Sequence, residues 1–197
     1  LLDCTLRDGG YVNQWKFGKK NILKIINQLV QSGVEVVECG YLTQNVSRDS
    51  DLARYASIAD VRQNYAAQKG AEQRYAVMIN YGEYPAELLP PADGDSPIIR
   101  LAFHKKDCDA AFHYFEQLEA LGYSYFVQPM GALNYSDTEF IDLISRVNQT
   151  RAEAFYVVDS FGVMEIQDFE RLVFLSDHNL SRDKLLGYHS HNNLQQA

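Results

Sequence analysis

The sequence predicts an α/β protein, a (β/α)8 TIM barrel that is incomplete, with about seven strands and the eighth βα unit missing. Three observations carry this. Runs rich in branched and aromatic residues alternate with amphipathic stretches, the pattern of a parallel sheet with crossover helices. Chemistry-bearing residues lie at both ends of the chain, Arg7-Asp8-Gly9 and His189-Ser190-His191, so the fold has to return its last strand to its first. Polar side chains fall repeatedly at the C-terminal ends of the strand-like runs, where barrels of this kind build their sites. A doubly wound sheet is the competing design. Gly9-Gly10, however, is not followed by the G-x-G-x-x-G turn with which such a sheet holds a phosphate.

Taken in order, Leu1 to Leu6 reads as the first strand. Ile22, Ile25, Ile26, Leu29 and Val30 repeat at helical spacing, and Gly33 stops that helix. Val34 to Cys39 reads as the second strand, closed by Gly40. The polar stretch Asn45 to Lys69 reads as a loop and then a helix from about Asp51. Arg74 to Asn80 is the third strand, and a loop with Pro85, Pro90, Pro91 and Pro97 leads to the fourth, Ile98 to Phe103. Asp107 to Leu121 is an amphipathic helix that ends at Gly122, before a fifth strand from Tyr123 to Gln128. Ser136 is the N-cap of a helix from Asp137 to Asn148. Ala154 to Val158 is the sixth strand, Ile166 to Ser176 a helix, and Leu185 to His189 the seventh strand. The chain stops soon after, so it reads as one domain over residues 1–197, the N-terminal fragment of a longer protein.

Composition narrows the function. The chain is 46% hydrophobic and 22% charged, enough apolar material for a real core. A net charge of −8 speaks against nucleic acid, which needs a basic patch. No run approaches the roughly 18 apolar residues of a membrane span. No charged and apolar leader opens the chain, and the odd set Cys4, Cys39 and Cys108 lacks a Cys-x-x-Cys pair, so a reduced, cytoplasmic protein is expected. Cys4 and Cys39 fall within strand runs, where a free thiol behaves as a small hydrophobe.

The candidate site follows from the strand ends. His189 and His191 stand two residues apart on a strand, hence on one face, where two imidazoles can grip one divalent metal. Asp8 supplies a carboxylate, and two histidines with one carboxylate leave open positions for substrate. Arg7 supplies a fixed positive charge or, more blandly, an ion pair with Asp8. Glu38, Asn80, His104, Gln128, Asp159 and Ser160 occupy the other strand ends. Alternation on the fourth strand puts Arg100, Ala102 and His104 on one face, so Arg100 points inward and needs a carboxylate, with Glu38 a candidate. Asp159 alternatively caps the following helix or holds a loop. His113 and His178 read as ordinary residues.

These residues resemble a known family. Asp3-Cys4-Thr5-Leu6-Arg7-Asp8-Gly9 is similar to the first-strand signature of the metal-dependent aldolases and Claisen-condensing barrels, the DRE-TIM metallolyases. That family includes 3-hydroxy-3-methylglutaryl-CoA lyase, isopropylmalate and homocitrate synthases and 4-hydroxy-2-oxovalerate aldolase. Gly187 to Leu194 resembles its seventh-strand signature, Glu38-Cys39-Gly40-Tyr41 the second, and Val158 to Gly162 the sixth. The fourth strand and Asp159 to Met164 look most like the 4-hydroxy-2-oxovalerate aldolases.

The resemblance implies that Asp8, His189 and His191 bind Mn²⁺, Mg²⁺ or another divalent metal, and that Arg7 stabilises an enolate. It implies cleavage of a 4-hydroxy-2-oxo acid to pyruvate and an aldehyde, a small-molecule 2-oxo acid as partner, a homodimer and a further C-terminal region. Glu38, Asn80, Arg100, Gln128, Asp159 and Ser160 are the expected substrate-binding residues. The chain departs from both branches of the family at one place. The aldolases have a histidine base two residues beyond the Asp-Gly pair and the synthases have Gly-Glu-Gln, whereas here the run is Gly9-Gly10-Tyr11. Tyr11 and His104 are therefore the two candidates for proton transfer. An acyl-CoA-dependent Claisen synthase and a catalytically reduced metal-binding module are the alternatives to an aldolase.

Overall fold

The computed structural model describes residues 1–65, 68, 70 and 73–195. A two-residue strand, β1 (Leu2–Asp3), runs into two helical turns, α1 (Thr5–Asp8) and α2 (Gly10–Asn13), and then a helix, α3 (Lys19–Gln31). Next come β2 (Val36–Leu42), β3 (Arg54–Tyr55), α4 (Ile58–Tyr65), β4 (Arg74–Asn80) and β5 (Ile98–His104). The chain continues with α5 (Cys108–Leu121), β6 (Tyr125–Met130), α6 (Asp137–Asn148), β7 (Ala154–Val158), α7 (Ile166–Asn179) and β8 (Leu185–His189). The sheet order is β1-β2-β4-β5-β6-β7-β8, with β3 beside β2, and each strand pairing given a register is parallel. This is the predicted α/β architecture with seven principal strands. The chain divides into two compact units, and the division falls inside β5.

The first unit holds residues 1–100 and 120–123. Its β2 runs parallel to β1 and β4, and α3 buries Ile22 and Ile26. Gly33, at φ +77°, ends α3 as the sequence predicts. The first strand is shorter than expected. Asp3 takes the backbone N–H of Thr5 at 2.9 Å and its hydroxyl at 3.0 Å, and this local bonding turns the backbone out of extension. Arg7 and Asp8 therefore lie on a helical turn and not at a strand end.

The second strand also differs from expectation. It passes through Gly40 to Leu42, with a register shift against β4 between Glu38 and Tyr41. Gly40 is the pivot of a bulge, at φ +139°, and a Cβ there would lie 2.0 Å from the Ala53 carbonyl oxygen. That closeness lets Tyr41 N–H bond Ala53 O at 3.2 Å, seating β3 against β2. The helix expected from Asp51 begins at Ile58, because residues 54–55 are spent on β3. Residues 66, 67 and 69 of that expected helix lie outside the described residues.

The second unit holds residues 101–119 and 124–197. Phe115 stacks on Tyr125 at 4.9 Å, and Phe140 meets Phe155 edge-on at 5.8 Å. Ser136 caps α6 as predicted, in a box with Glu139. β7 and β8 pair without interruption from Ala154↔Leu185 to Val158↔His189. That register brings His189 level with the residue before Asp159.

Replacing Gly40 by Ala should destabilise the fold by at least ~1 kcal/mol, because the new Cβ meets backbone and the φ is hostile to an L side chain. Urea unfolding of Gly40→Ala against wild type checks this.

Candidate functional site

In the first unit the site is built around Glu38, which is fully buried. Its Oε2 accepts from Arg7 Nε at 2.8 Å and its Oε1 lies 2.7 Å from Arg100 Nη1, itself fully buried. The alternation argument thus names the right partner for Arg100. Burial pushes the Glu38 carboxyl up, but Arg100 and Arg7 together outweigh it and hold it below the ordinary carboxylate range. Burial likewise weakens the Arg7 charge, and Glu38 more than restores it.

Arg7 is shared between two carboxylates. Its Nη1 donates to Asp8 Oδ1 at 2.6 Å while Nε serves Glu38. Arg7 pairs with Asp8, as the blander reading expects, and Glu38 fixes its orientation. Among the described residues its Nη2 makes no hydrogen bond. A guanidinium with two positions of its fork tied down presents the third at a fixed angle.

Tyr11 is exposed, and its hydroxyl lies 3.0 Å from that of Tyr41, a buried residue. Burial pushes the Tyr41 phenol up, so it stays a neutral hydroxyl. Cys4, beside these groups, is pushed up to about 11 by burial and then by the Glu38 carboxylate. All three cysteines are free. Asn80 donates to Glu83 Oε1 at 3.1 Å at the end of β4.

The second unit holds the other half of the expected residues. His189 and His191 have ring centroids 4.9 Å apart with planes nearly perpendicular. The expectation that both histidines ride one strand is corrected, for β8 ends at His189 and His191 lies beyond it. What orients His191 is a hydrogen bond from Nδ1 to the Asp159 backbone carbonyl at 2.6 Å, while Asp159 N–H bonds His189 O at 2.9 Å. Asp159 is therefore a backbone anchor for the pair. Its Oδ1 accepts from the N–H groups of Val163 and Met164, holding the following loop, as the bland reading foresaw. Ser160 Oγ accepts from Gly131 N–H at 2.8 Å. Gln128 is buried within β6, two residues before its end, and His104 is exposed at the end of β5.

The donor set fits a divalent cation. A histidine whose Nδ1–H is held by a carbonyl offers Nε2 as ligand, the usual support for a metal-binding imidazole. Tyr41, Trp15 and the Asp159 carbonyl escape sequence reasoning. A backbone carbonyl carries no residue-type signal.

No family model matches the chain. It is 26% identical over 201 residues to the 4-hydroxy-2-oxovalerate aldolase of Geobacillus genomosp. 3, covering 98% of this chain and 57% of that relative. The chain thus spans little more than half the length of the curated relatives it matches. The N-terminal domain of a candidate aldolase from Bacteroides vulgatus superposes with a TM-score of 0.72 at 23% identity, over 98% of this chain and 64% of that one. HMG-CoA lyase from Brucella melitensis superposes with a TM-score of 0.70 at 14% identity, over the whole of this chain and 73% of that one. The structures show the fold, the incomplete barrel predicted. The sequence likeness is to the 4-hydroxy-2-oxovalerate aldolases, the resemblance already carried by the end motifs.

Replacing Glu38 by Gln should cost ~3–5 kcal/mol at pH 7, since two buried guanidiniums lose their counter-charge. Because the folded carboxyl sits below its ordinary value of 4.5, its contribution is whole above that value and is lost as pH falls through the lower, folded one. Urea unfolding at pH 7 and near pH 4 should therefore find the gap between wild type and Glu38→Gln narrowing in acid. A gap independent of pH would contradict the assignment.

Proposed function

We propose that the protein carrying this chain is a divalent-metal-dependent aldolase, a carbon–carbon lyase that cleaves a 4-hydroxy-2-oxo acid to pyruvate and an aldehyde. The observation that carries this reading is the His189–His191 pair, with His191 locked by the Asp159 carbonyl into the tautomer that frees Nε2 for a metal. Asp8, His189 and His191 are the ligands in this reading, and Mn²⁺ or Mg²⁺ the cation. When bound, such a cation polarises the substrate's carbonyl as a Lewis acid.

The chain's own residues do the rest. Arg7 meets the negative charge that grows on the carbonyl oxygen as the C3–C4 bond breaks. Its Nη2 is the group for this task, because Nε and Nη1 are held by Glu38 and Asp8. A donor fixed before the reaction needs no reorientation during it, which is the source of its catalytic value. Glu38 and Arg100 are buried too deeply to touch a substrate, so they act as positioning residues behind Arg7. This revises their expected role as substrate ligands. Asn80, Gln128 and Ser160 remain proposals for substrate binding, and Tyr11 or His104 moves the proton.

Exchange of the methyl protons of pyruvate for deuterium, followed by NMR on the full-length protein, tests this without a choice of aldehyde. Metal-dependent exchange is expected from wild type. Arg7→Lys should lose at least ~10-fold, because a single ammonium cannot serve Glu38, Asp8 and substrate at fixed angles. Arg7→Ala should lose ~10²–10³-fold. Asp8→Asn should lose metal affinity and exchange together while remaining folded. Tight metal binding with no exchange would direct attention to an acyl-CoA-dependent condensation or to a non-catalytic module.

A further inference from the structure

The aldolase reading leaves its base unassigned, since Tyr11 stands two places beyond Gly9, where the resemblance implies a histidine. All five histidines of the chain, at 104, 113, 178, 189 and 191, belong to the second unit. Among the described residues of the first unit, the proton-transfer groups around Arg7 are two carboxylates, one thiol and two phenols. Glu38 is spent between Arg7 and Arg100, and Asp8 is bonded to Arg7. The Cys4 thiol is held protonated, for burial and the Glu38 carboxylate both oppose its charge. The phenols remain, and they are bonded to each other, oxygen to oxygen, at 3.0 Å.

The surroundings of this pair are built. Trp15 packs edge-on against both rings, at 4.9 Å from Tyr11 and 5.5 Å from Tyr41. Its indole N–H donates to the Arg7 carbonyl at 2.8 Å, tying the pair to the turn that carries Arg7 and Asp8. Gln14 and Trp15 both adopt left-handed backbone, at φ 56° and 59°, an uncommon conformation for residues with side chains. Gly10 makes room for the indole, since a Cβ there would fall 2.1 Å from it. Tyr41 lies in the field of the Arg7 guanidinium and the Glu38 carboxylate. The exposed member, Tyr11, faces solvent, and its partner Tyr41 is buried.

We propose that Tyr11 and Tyr41 form the proton-transfer device of this site, Tyr11 as the catalytic residue and Tyr41 as the positioning residue that donates a hydrogen bond to its oxygen. This rests on the aldolase reading. In cleavage, Tyr11 has first released its own proton to solvent, and the phenolate so formed takes the proton of the substrate's 4-hydroxyl. The C3–C4 electrons pass into the enolate of pyruvate as the aldehyde carbonyl forms. Tyr11 then returns the same proton to C3 and ends as phenolate. One proton moves from O4 to C3, and nothing is oxidised or reduced. In the exchange reaction the phenolate takes a methyl proton, trades it with solvent and returns a deuteron. The Tyr41 hydroxyl steadies the negative oxygen throughout, and hydrogen bonds to charged groups are the stronger kind.

The test compares Tyr11→Phe, Tyr41→Phe and His104→Ala in the full-length protein, with metal affinity by calorimetry and thermal unfolding as controls. Tyr11→Phe should slow exchange ~10²–10⁴-fold with metal affinity kept. Tyr41→Phe should lower kcat ~10- to 100-fold while the KM for pyruvate and the metal affinity stay put, a split that mere loosening of the core would not produce. In the metal-free protein, the hydroxyl proton shared by the phenols should give a protected NMR signal that both Phe variants remove. Full exchange by Tyr11→Phe, or loss confined to His104→Ala, overturns the pair. Equal losses of metal affinity and KM in Tyr41→Phe overturn its positioning role. Absence of exchange from wild type overturns the underlying reading, and the pair with it.

Discussion

Glu38 lies fully buried between two guanidinium groups, and a carboxylate in that position has lost its hydration shell. The desolvation cost is large for all three ions, and only close, well-directed pairing offsets it. The bond from Arg7 joins α1 to the middle of β2, and the bond from Arg100 joins β5 to the same point. Three elements are thereby fixed to one carboxylate. The turn that carries Asp8, Trp15 and Tyr11 depends on that fixing, because each touches Arg7 or its neighbours through a named bond. An apolar replacement would pack as well, but it would not hold a guanidinium in one orientation. The buried ions therefore serve orientation more than stability.

The bulge at Gly40 belongs to the same arrangement. Two residues beyond Glu38, it interrupts the regular alternation of side chains along β2. Tyr41 and Glu38 are three apart, and in an unbroken strand they would point to opposite faces. With the bulge between them, both lie close enough to Arg7 to feel its charge. A single position where only glycine fits thus lets one strand deliver both the carboxylate that orients Arg7 and a phenol beside it.

Much of this was legible in the sequence where one force acts alone. The helices α3, α6 and α7 follow from apolar spacing, and β7 and β8 from runs bounded by polar residues. Arg100 and Glu38 could be paired because alternation sends Arg100 inward and burial demands a partner. Legibility fails where local bonding or close approach overrides the pattern. Asp3 bonding to Thr5 ends β1 early, in a stretch whose residue types read as strand. Gly40 reads as a terminator and acts as a bulge, since its need for space comes from Ala53, thirteen residues away and invisible to periodicity. At the site, residue types named the histidines and Arg7, but the anchor of His191 is a backbone carbonyl that any residue could supply.

On the proposed reading, the balance of charge bears on how an acidic chain would receive an anion. Arg7, Arg100, Glu38 and Asp8 carry two positive and two negative charges, so the first-unit cluster is neutral by formal count. On the proposed reading, a divalent cation held by this protein would supply the net positive charge that a 2-oxo acid would meet. Were Glu38 and Asp8 not to cancel the two arginines, the resting site would be strongly cationic and would hold a 2-oxo acid as firmly before reaction as during it, which does not accelerate the chemistry. In the proposed reaction, neutralising the arginines while keeping Arg7 directed would reserve its effect for the charge that appears only as the bond breaks.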